Sequence, residues 1–353
     1  MGGELEERAA RTADALLICD KSEGSRRILV TGAGGFVGSN LVRRLVADGH
    51  EVVAAVRPAS DLWRLAAPGP SASLEGVNIL ALDLTDERAV ERAVDEARPQ
   101  WAFHLAAHGA YSWQTDSREI VRTNVLGTVN LVEACRASGC EALVNAGSSS
   151  EYGFKDHAPD EEESLEPNSE YAVAKAAATL YCRQVARAGP MQIVTLRLYS
   201  VYGQFEDPGR LIATLAARGL RGELPPLADP EVARDFVVVE DALEAFLAAI
   251  RPGLPLGAVY NVGTGRQTSI QEVVAVARRR LGIEARPDWG ASPRRRWDTT
   301  TWVASTQRIG TELGWRPQTT LDDGFERMVG WLRSTPAVWP VYGVRAPDPD
   351  FTG

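Results

Sequence analysis

Cysteine, histidine, basic excess and long apolar runs are all scarce in this chain. Its four cysteines in 353 residues (Cys19, Cys135, Cys140 and Cys182) form no CxxC pair. That excludes a disulfide scaffold and a zinc ribbon, and it predicts free thiols in a reducing cytoplasm. There are only four histidines, and no His/Cys/Asp cluster has metal-ligand spacing, so no metal site is expected. The 38 Lys and Arg face 47 Asp and Glu, a net charge of −9. A general nucleic-acid binder needs a basic surface against phosphates, so that class is excluded. No stretch approaches the roughly 18 apolar residues that a membrane span requires. The apolar patch from Ala13 to Ile18 follows Glu4, Glu6 and Glu7 and is too short for a signal peptide. What remains is ordinary globular composition, 44% hydrophobic and 24% charged, which rules out disordered, collagen-like and coiled-coil classes.

The apolar pattern alternates between the two regular periods. After a polar extension over residues 1–25, Ile28-Leu29-Val30 reads as a strand, Ser39–Asp48 as a helix and Glu51–Val56 as the next strand. The rhythm continues with a strand at Val77–Leu82, a helix at Glu87–Ala97, and a strand at Trp101–Ala107. A helix at Ile120–Ser138 and a strand at Ala142–Ala146 follow, then a helix at Tyr171–Ala188 and a strand at Gln192–Leu198. Strands alternating with helices predict an α/β fold with a doubly wound, Rossmann-like parallel sheet over residues 26–200. Beyond 200 the rhythm loosens around Pro208, Pro225, Pro226 and Pro230. A strand at Asp235–Val239 and helices at Asp241–Ile250, Ile270–Leu281 and Gly324–Leu332 suggest a smaller α/β lobe over 201–335, some of it returning to the first domain. The tail from Pro336 to the end reads as extended.

Two motifs carry chemistry. Thr31-Gly32-Ala33-Gly34-Gly35-Phe36-Val37-Gly38 sits between the first strand and the first helix. Gly32 allows the tight turn, Gly35 lets the backbone approach a pyrophosphate, Gly38 lets the helix pack on the strand, and the helix start offers amides to the anion. At the end of the second strand a carboxylate would hold a ribose 2′-hydroxyl, whereas Arg accepts a 2′-phosphate. The sequence there is Ala55-Val56-Arg57-Pro58, which favours NADP(H) over NAD(H). Asp83, ending the third strand beside Leu84, either meets the adenine or caps the turn at Thr85. The second motif joins Ser148-Ser149-Ser150-Glu151-Tyr152-Gly153 to Tyr171 and Lys175. Four-residue spacing puts Tyr171 and Lys175 on one helix face. An ammonium there favours the phenolate, making Tyr171 a candidate acid/base with a serine orienting the substrate oxygen. Tyr111 and Trp113, on the loop after the fourth strand, either contact substrate or pack in the core.

Taken together, TGAGGFVG (31–38), HLAA (104–107), TNVLGT (123–128), SSSEYG (148–153) and YAVAK (171–175) resemble the extended short-chain dehydrogenase/reductase superfamily. LRLYSVYG (196–203), RDFVVVED (234–241) and NVGTG (261–265) extend the likeness from about Arg26 to about Leu332, in the branch of NAD(P)-dependent epimerases and dehydratases acting on nucleotide sugars. The resemblance implies Tyr171 as acid/base on a sugar hydroxyl and Lys175 holding the nicotinamide ribose. It implies Ser148 as the catalytic serine, with Ser149 the near alternative and Glu151 beside them. Leu105, Ala106, Ala107, Asn124 and Tyr199 would line the cofactor. His108, Ser200, Arg210, Arg234 and Arg295 would serve the substrate, the arginines gripping its diphosphate. Helices equivalent to 120–138 and 171–188 pair between subunits in this superfamily, which implies a homodimer.

Three reactions share such a scaffold: epimerisation, 4,6-dehydration and net reduction of a ketosugar. Dehydratases in the superfamily carry an acid pair, written TDE or TSE, where this chain has Ser148-Ser149-Ser150, and this weakens that option. Arg57 favours NADP(H), and exchangeable NADPH suits reduction. The leading expectation is therefore reduction of a keto group on a nucleotide-activated deoxysugar, with epimerase next. A ketoreductase on a non-nucleotide substrate and a non-catalytic cofactor sensor are the remaining readings, and the intact Ser/Tyr/Lys set argues against the sensor.

Overall fold

The computed structural model describes residues 24–344 except 69–73, 75–76, 112 and 293–297. Arg295 and nearly all of the 1–25 extension thus lie outside the described residues.

The chain opens with strand β1 (Arg27–Thr31), helix α1 (Phe36–Ala47), β2 (Glu51–Val56), the short α2 (Trp63–Ala66), β3 (Asn78–Ala81), α3 (Glu87–Ala97) and β4 (Trp101–His104). It continues through α4 (Ser117–Val121), a wider π turn at Arg122–Leu126, α5 (Gly127–Ala137), β5 (Ala142–Ser148), α6 (Glu170–Ala188) and β6 (Gln192–Leu198). With β7 (Ser200–Tyr202), α7 (Leu211–Gly219), β8 (Ala233–Arg234), β9 (Phe236–Val238), α8 (Val239–Ala249) and β10 (Val259–Val262), the seven-stranded sheet is complete, in the order β10-β6-β5-β4-β1-β2-β3. Every pairing in it is parallel. Strand order reverses between β1 and β4, and in such sheets the ligand crevice opens at that switch point, beyond the carboxyl ends of the strands.

The apolar runs explain the layers. Ile28 and Val30 of β1 pack into one core and Leu29 into the other, on opposite faces of the sheet, as period-2 side chains must. A third cluster gathers Phe205, Ile212, Leu215, Val273, Phe325, Met328 and Leu332. It is built from α7, α9 (Ile270–Leu281), which follows β11 (Thr268–Ser269), and α11 (Leu321–Ser334), which follows α10 (Gln307–Glu312). Ser269 and Glu272 close a capping box at the start of α9, and each such cap contributes about 1 kcal/mol.

Three expectations need correcting. The strand at 101–107 ends at His104, because the backbone of Leu105–Ala106 turns out beneath the glycine loop. The helix expected at Ile120–Ser138 starts at Ser117, capped by Asp116, and widens at 122–126. The segment from Pro336 is not extended at its start: Pro336–Val338 forms a 3-10 turn and Trp339–Tyr342 a helical turn, α12. Val338 and Tyr342 are buried there, and Tyr342 meets Trp331 edge-to-face at 5.5 Å. Aromatic burial outweighs the proline spacing.

Candidate active site

The glycine loop has the shape a dinucleotide requires. A Cβ on Gly32 (φ +68) would stand 2.5 Å from the Ala106 nitrogen, and one on Gly38 would stand 2.2 Å from the Gly32 carbonyl oxygen. Only glycine allows either approach. Gly35 is the N-cap of α1 and places no side-chain acceptor over the first-turn amides of Phe36, Val37 and Gly38, so those amides remain available to an anion. The loop at 57–62 folds over the same place, with Val56, Leu62 and the Asp61 carbonyl 3.6–4.0 Å from a Cβ on Gly34. Arg57 is exposed at the end of β2. Asp83 accepts from the Thr85 amide and hydroxyl at 2.9 and 2.8 Å, while Asp86 is the residue that caps α3. Leu84 is buried, and its carbonyl accepts from Asn130. These surfaces fit a nicotinamide dinucleotide.

Beneath the loop, His104 bridges Thr31 and Thr128 through its two ring nitrogens at 2.7 and 2.8 Å. Burial pushes its pKa down to about 3, helped by the Lys175 charge, so it is a neutral structural link. Asn124, in the π turn and buried, accepts from the His108 amide at 2.8 Å and donates to the His108 carbonyl at 2.7 Å. It thereby fixes the loop that carries Leu105, Ala106 and the exposed Ala107.

The SSSEYG segment is held from behind. Ser148 and Glu151 form a capping box across a 3-10 turn at Ser149–Tyr152. The buried Glu151 carboxylate accepts from the Ser148 amide at 2.8 Å, the Thr179 hydroxyl at 3.1 Å and the Arg197 guanidinium at 2.9 Å. Arg197 also donates to the Tyr152 hydroxyl at 2.7 Å, which in turn donates to Asn261 at 2.8 Å. The network leaves Glu151 sealed from solvent. It aims the two serines differently. Ser148 pairs with the Ser150 hydroxyl at 2.7 Å, accepts from the Ser150 amide at 3.2 Å and lowers the Tyr171 pKa, whereas Ser149 is buried and accepts from the Trp302 indole at 3.1 Å.

Lys175, one turn along α6 from Tyr171, donates to the Ala146 carbonyl at 2.8 Å. Burial pushes it down to about 8, partly opposed by the Glu151 charge. Tyr171 departs from the sequence expectation. Burial pushes its phenol up to about 12, and the Ser148 hydrogen bond offsets only part of this. The phenol is not acidified in the protein alone, because desolvation of the phenolate dominates. At neutral pH the site therefore presents a neutral phenol, an acid ready to donate.

The expected substrate residues spread around this centre. Arg210 is exposed at the N-cap of α7, 3.8 Å from Glu206, and its charge reaches Tyr171. Arg234 bonds Asp298 at 3.4 Å and lies 5.6 Å over the Trp302 ring. Tyr199 is buried, with its phenol pushed upward by burial, and the Ser200 amide bonds the Asp235 carbonyl. Asp235 gathers the Thr264, Gly265 and Ala304 amides, so this acid ties the NVGTG segment to 304. Sequence reasoning missed Arg197, Trp302 and the buried Glu161, which accepts from the Asn261 amide at 2.8 Å. A charge inside the apolar strand 192–198 was the available signal for Arg197. Trp302 lies on an irregular segment with no such signal. Among the described residues no group of three His, Cys, Asp or Glu could hold a metal ion, and no helix is long and apolar enough to cross a membrane.

Comparison with known proteins agrees with this geometry. The model of the NAD dependent epimerase/dehydratase family matches residues 28–263. The chain belongs to that family. It is therefore an enzyme of the extended short-chain dehydrogenase/reductase type with a nicotinamide dinucleotide cofactor. It is 33% identical over 320 residues to a UDP-glucose 4-epimerase of Mycolicibacterium smegmatis, covering 87% of this chain and 99% of that one. With a dTDP-glucose 4,6-dehydratase of Neisseria gonorrhoeae it shares 28% over 336 residues, 88% and 96% of the two chains. Among solved structures, the UDP-glucose 4-epimerase of Thermus thermophilus in complex with NAD is 32% identical, with a TM-score of 0.77 over 87% of this chain and 99% of that one.

Proposed function

We propose that the protein reduces a 4-keto group on a nucleotide-activated deoxysugar, with NADPH as cofactor. The observation that carries this reading is the Tyr171 phenol, held neutral by burial, one helical turn from the buried Lys175 and within the influence of the Ser148 hydroxyl. When bound, the dinucleotide supplies the hydride. Tyr171 gives the proton to the carbonyl oxygen, Ser148 donates a hydrogen bond as negative charge develops there, and Lys175 holds the nicotinamide ribose. Arg210 and Arg234 take the diphosphate, and His108 and Ser200 line the pocket. We place the cofactor against Gly32, Gly35, Gly38, Asp83, Leu84, Leu105, Ala106, Ala107 and Tyr199. The cluster around α7, α9 and α11 serves as the substrate lobe.

Dehydration is disfavoured by the surroundings of Glu151. Its carboxylate oxygens are engaged by Ser148, Thr179 and Arg197, and the acid-pair positions hold Ser149 and Ser150. Epimerisation is the second reading, favoured by the likeness to the mycobacterial 4-epimerase. Arg57 separates the two, since an exchangeable NADPH serves net reduction. NADPH is expected to bind about ten- to a hundredfold more tightly than NADH, the size of a charge-assisted bond to phosphate. Arg57→Asp reverses the order. Titration of both cofactors into both proteins checks this, and equal affinities in the wild type contradict it.

A homodimer belongs to the same proposal. Val121 and Leu126, around the π turn, and Val173 and Leu180, on α6, are exposed apolar side chains, suited to helix pairing. Sedimentation equilibrium is expected to give twice the 38.2 kDa chain mass, and Leu180→Glu to halve it.

A further inference from the structure

The loop after β4 is built too firmly for a connector. Its residue His108 is gripped on both sides by Asn124. The Gln114 side chain accepts from the Gly109 and Tyr111 amides at 2.8 and 3.4 Å, and the Gln114 amide returns a bond to the Tyr111 carbonyl at 3.0 Å. Gly109 adopts φ +93, and a Cβ there would collide with Ile120 at 2.8 Å and meet the Tyr171 ring at 3.4 Å. The loop therefore runs along the reacting tyrosine.

It presents an aromatic pair. Tyr111 and Trp113 stack with centroids 4.6 Å apart and planes 12° from parallel. The indole is 67% exposed while Tyr111 is half-buried, which settles the choice left open by the sequence: this pair is not core. The Tyr111 hydroxyl has no hydrogen-bond partner among the described residues. The charges of Asp207, Arg64, Arg210 and Glu206 all act on it, and it acts in turn on Tyr171. Glu206 belongs to the same group. Its carboxyl is buried, with one oxygen unpartnered among the described residues. A half-buried phenol on a loop that packs along the reacting tyrosine, with no protein partner for its hydroxyl among the described residues, is a donor without an acceptor.

We propose that Tyr111 is a substrate-binding residue, its hydroxyl bonding a hydroxyl of the sugar beside Tyr171, with Trp113 stacked behind it to hold the ring in place. This rests on the nucleotide-sugar reading above and adds a specificity element to it. The sugar is favoured over the diphosphate as ligand because Tyr111 adjoins the reacting phenol, whereas Arg210 already offers a cation to phosphate.

The test compares the whole nucleotide sugar with its nucleotide alone. Wild type and Tyr111→Phe are titrated calorimetrically with UDP, dTDP and dTDP-4-keto-6-deoxyglucose, in the presence of saturating NADP⁺, which has no hydride to give the ketone. Tyr111→Phe is expected to weaken binding of the sugar nucleotide about tenfold, the size of one lost hydrogen bond, and to leave the free nucleotide and NADP⁺ unchanged. Trp113→Phe, which keeps a stacking ring, is expected to stay within about threefold of wild type. Equal weakening of nucleotide and sugar nucleotide overturns the assignment to the sugar, and no weakening of either overturns it altogether. Failure of the wild type to bind any nucleotide would instead remove the functional reading, and this proposal with it.

Discussion

Tyr171→Phe is expected to lower turnover by about 10²–10⁴-fold, the ordinary contribution of a positioned acid/base, with the melting transition and NADPH affinity unchanged. The phenol sits near pKa 12 in the protein alone, so it is protonated across the whole working range and needs no activation to donate. Its reverse role, taking a proton from a sugar hydroxyl, requires positive charge nearby. Lys175 supplies part of it while protonated. Burial sets that group near 8, below its ordinary value, so its charge is present below about pH 8 and is lost as pH rises through 8. Turnover in the reverse, oxidising direction is accordingly expected to fall above pH 8 in the wild type. Unchanged turnover in Tyr171→Phe, measured by single-turnover kinetics, would remove the assignment.

The second large effect is on stability. Arg197→Met removes the cation from a buried pair in which Glu151 is fully enclosed. Breaking such a pair by removing one partner costs about 3–5 kcal/mol, because a buried charge is left behind. Urea unfolding is expected to show that loss. The double variant Arg197→Met with Glu151→Leu is expected to recover much of it, since an apolar pair of similar volume replaces the ions. A drop below about 1 kcal/mol in the single variant would mean that the network adds little. The same substitution is expected to slow turnover, because the Ser148 amide is anchored by Glu151.

These two effects show where sequence reading succeeds and stops. Helices and strands with sharp stops were legible to the residue: Glu87–Ala97, Gln192–Leu198 and Ile270–Leu281 match both predicted ends. Periodicity and capping act locally, and both are written in the chain. The glycine loop was legible for the same reason, since its constraints lie within eight residues. The anchoring of the site was not. Arg197 and Glu151 are 46 residues apart, and Trp302 and Ser149 are 153 apart, so only the folded sheet brings them together. The phenol of Tyr171 misled for a related reason. Spacing revealed the nearby ammonium, but desolvation depends on how deeply the cleft is packed, and no local pattern records it. The tail at Pro336–Tyr342 failed likewise, its helical turns arising from aromatic contacts across the third cluster.

Hydride transfer to a nucleotide sugar is the claim on which the rest depends. NADPH deuterated at the transferable position of C4 should be incubated with the protein and dTDP- or UDP-4-keto-6-deoxyglucose, and the sugar product weighed by mass spectrometry as absorbance at 340 nm is followed. The expected result is loss of absorbance matched by one deuterium at C4 of the sugar. Unchanged absorbance, with neither label nor a new isomer in any nucleotide sugar offered, would contradict it.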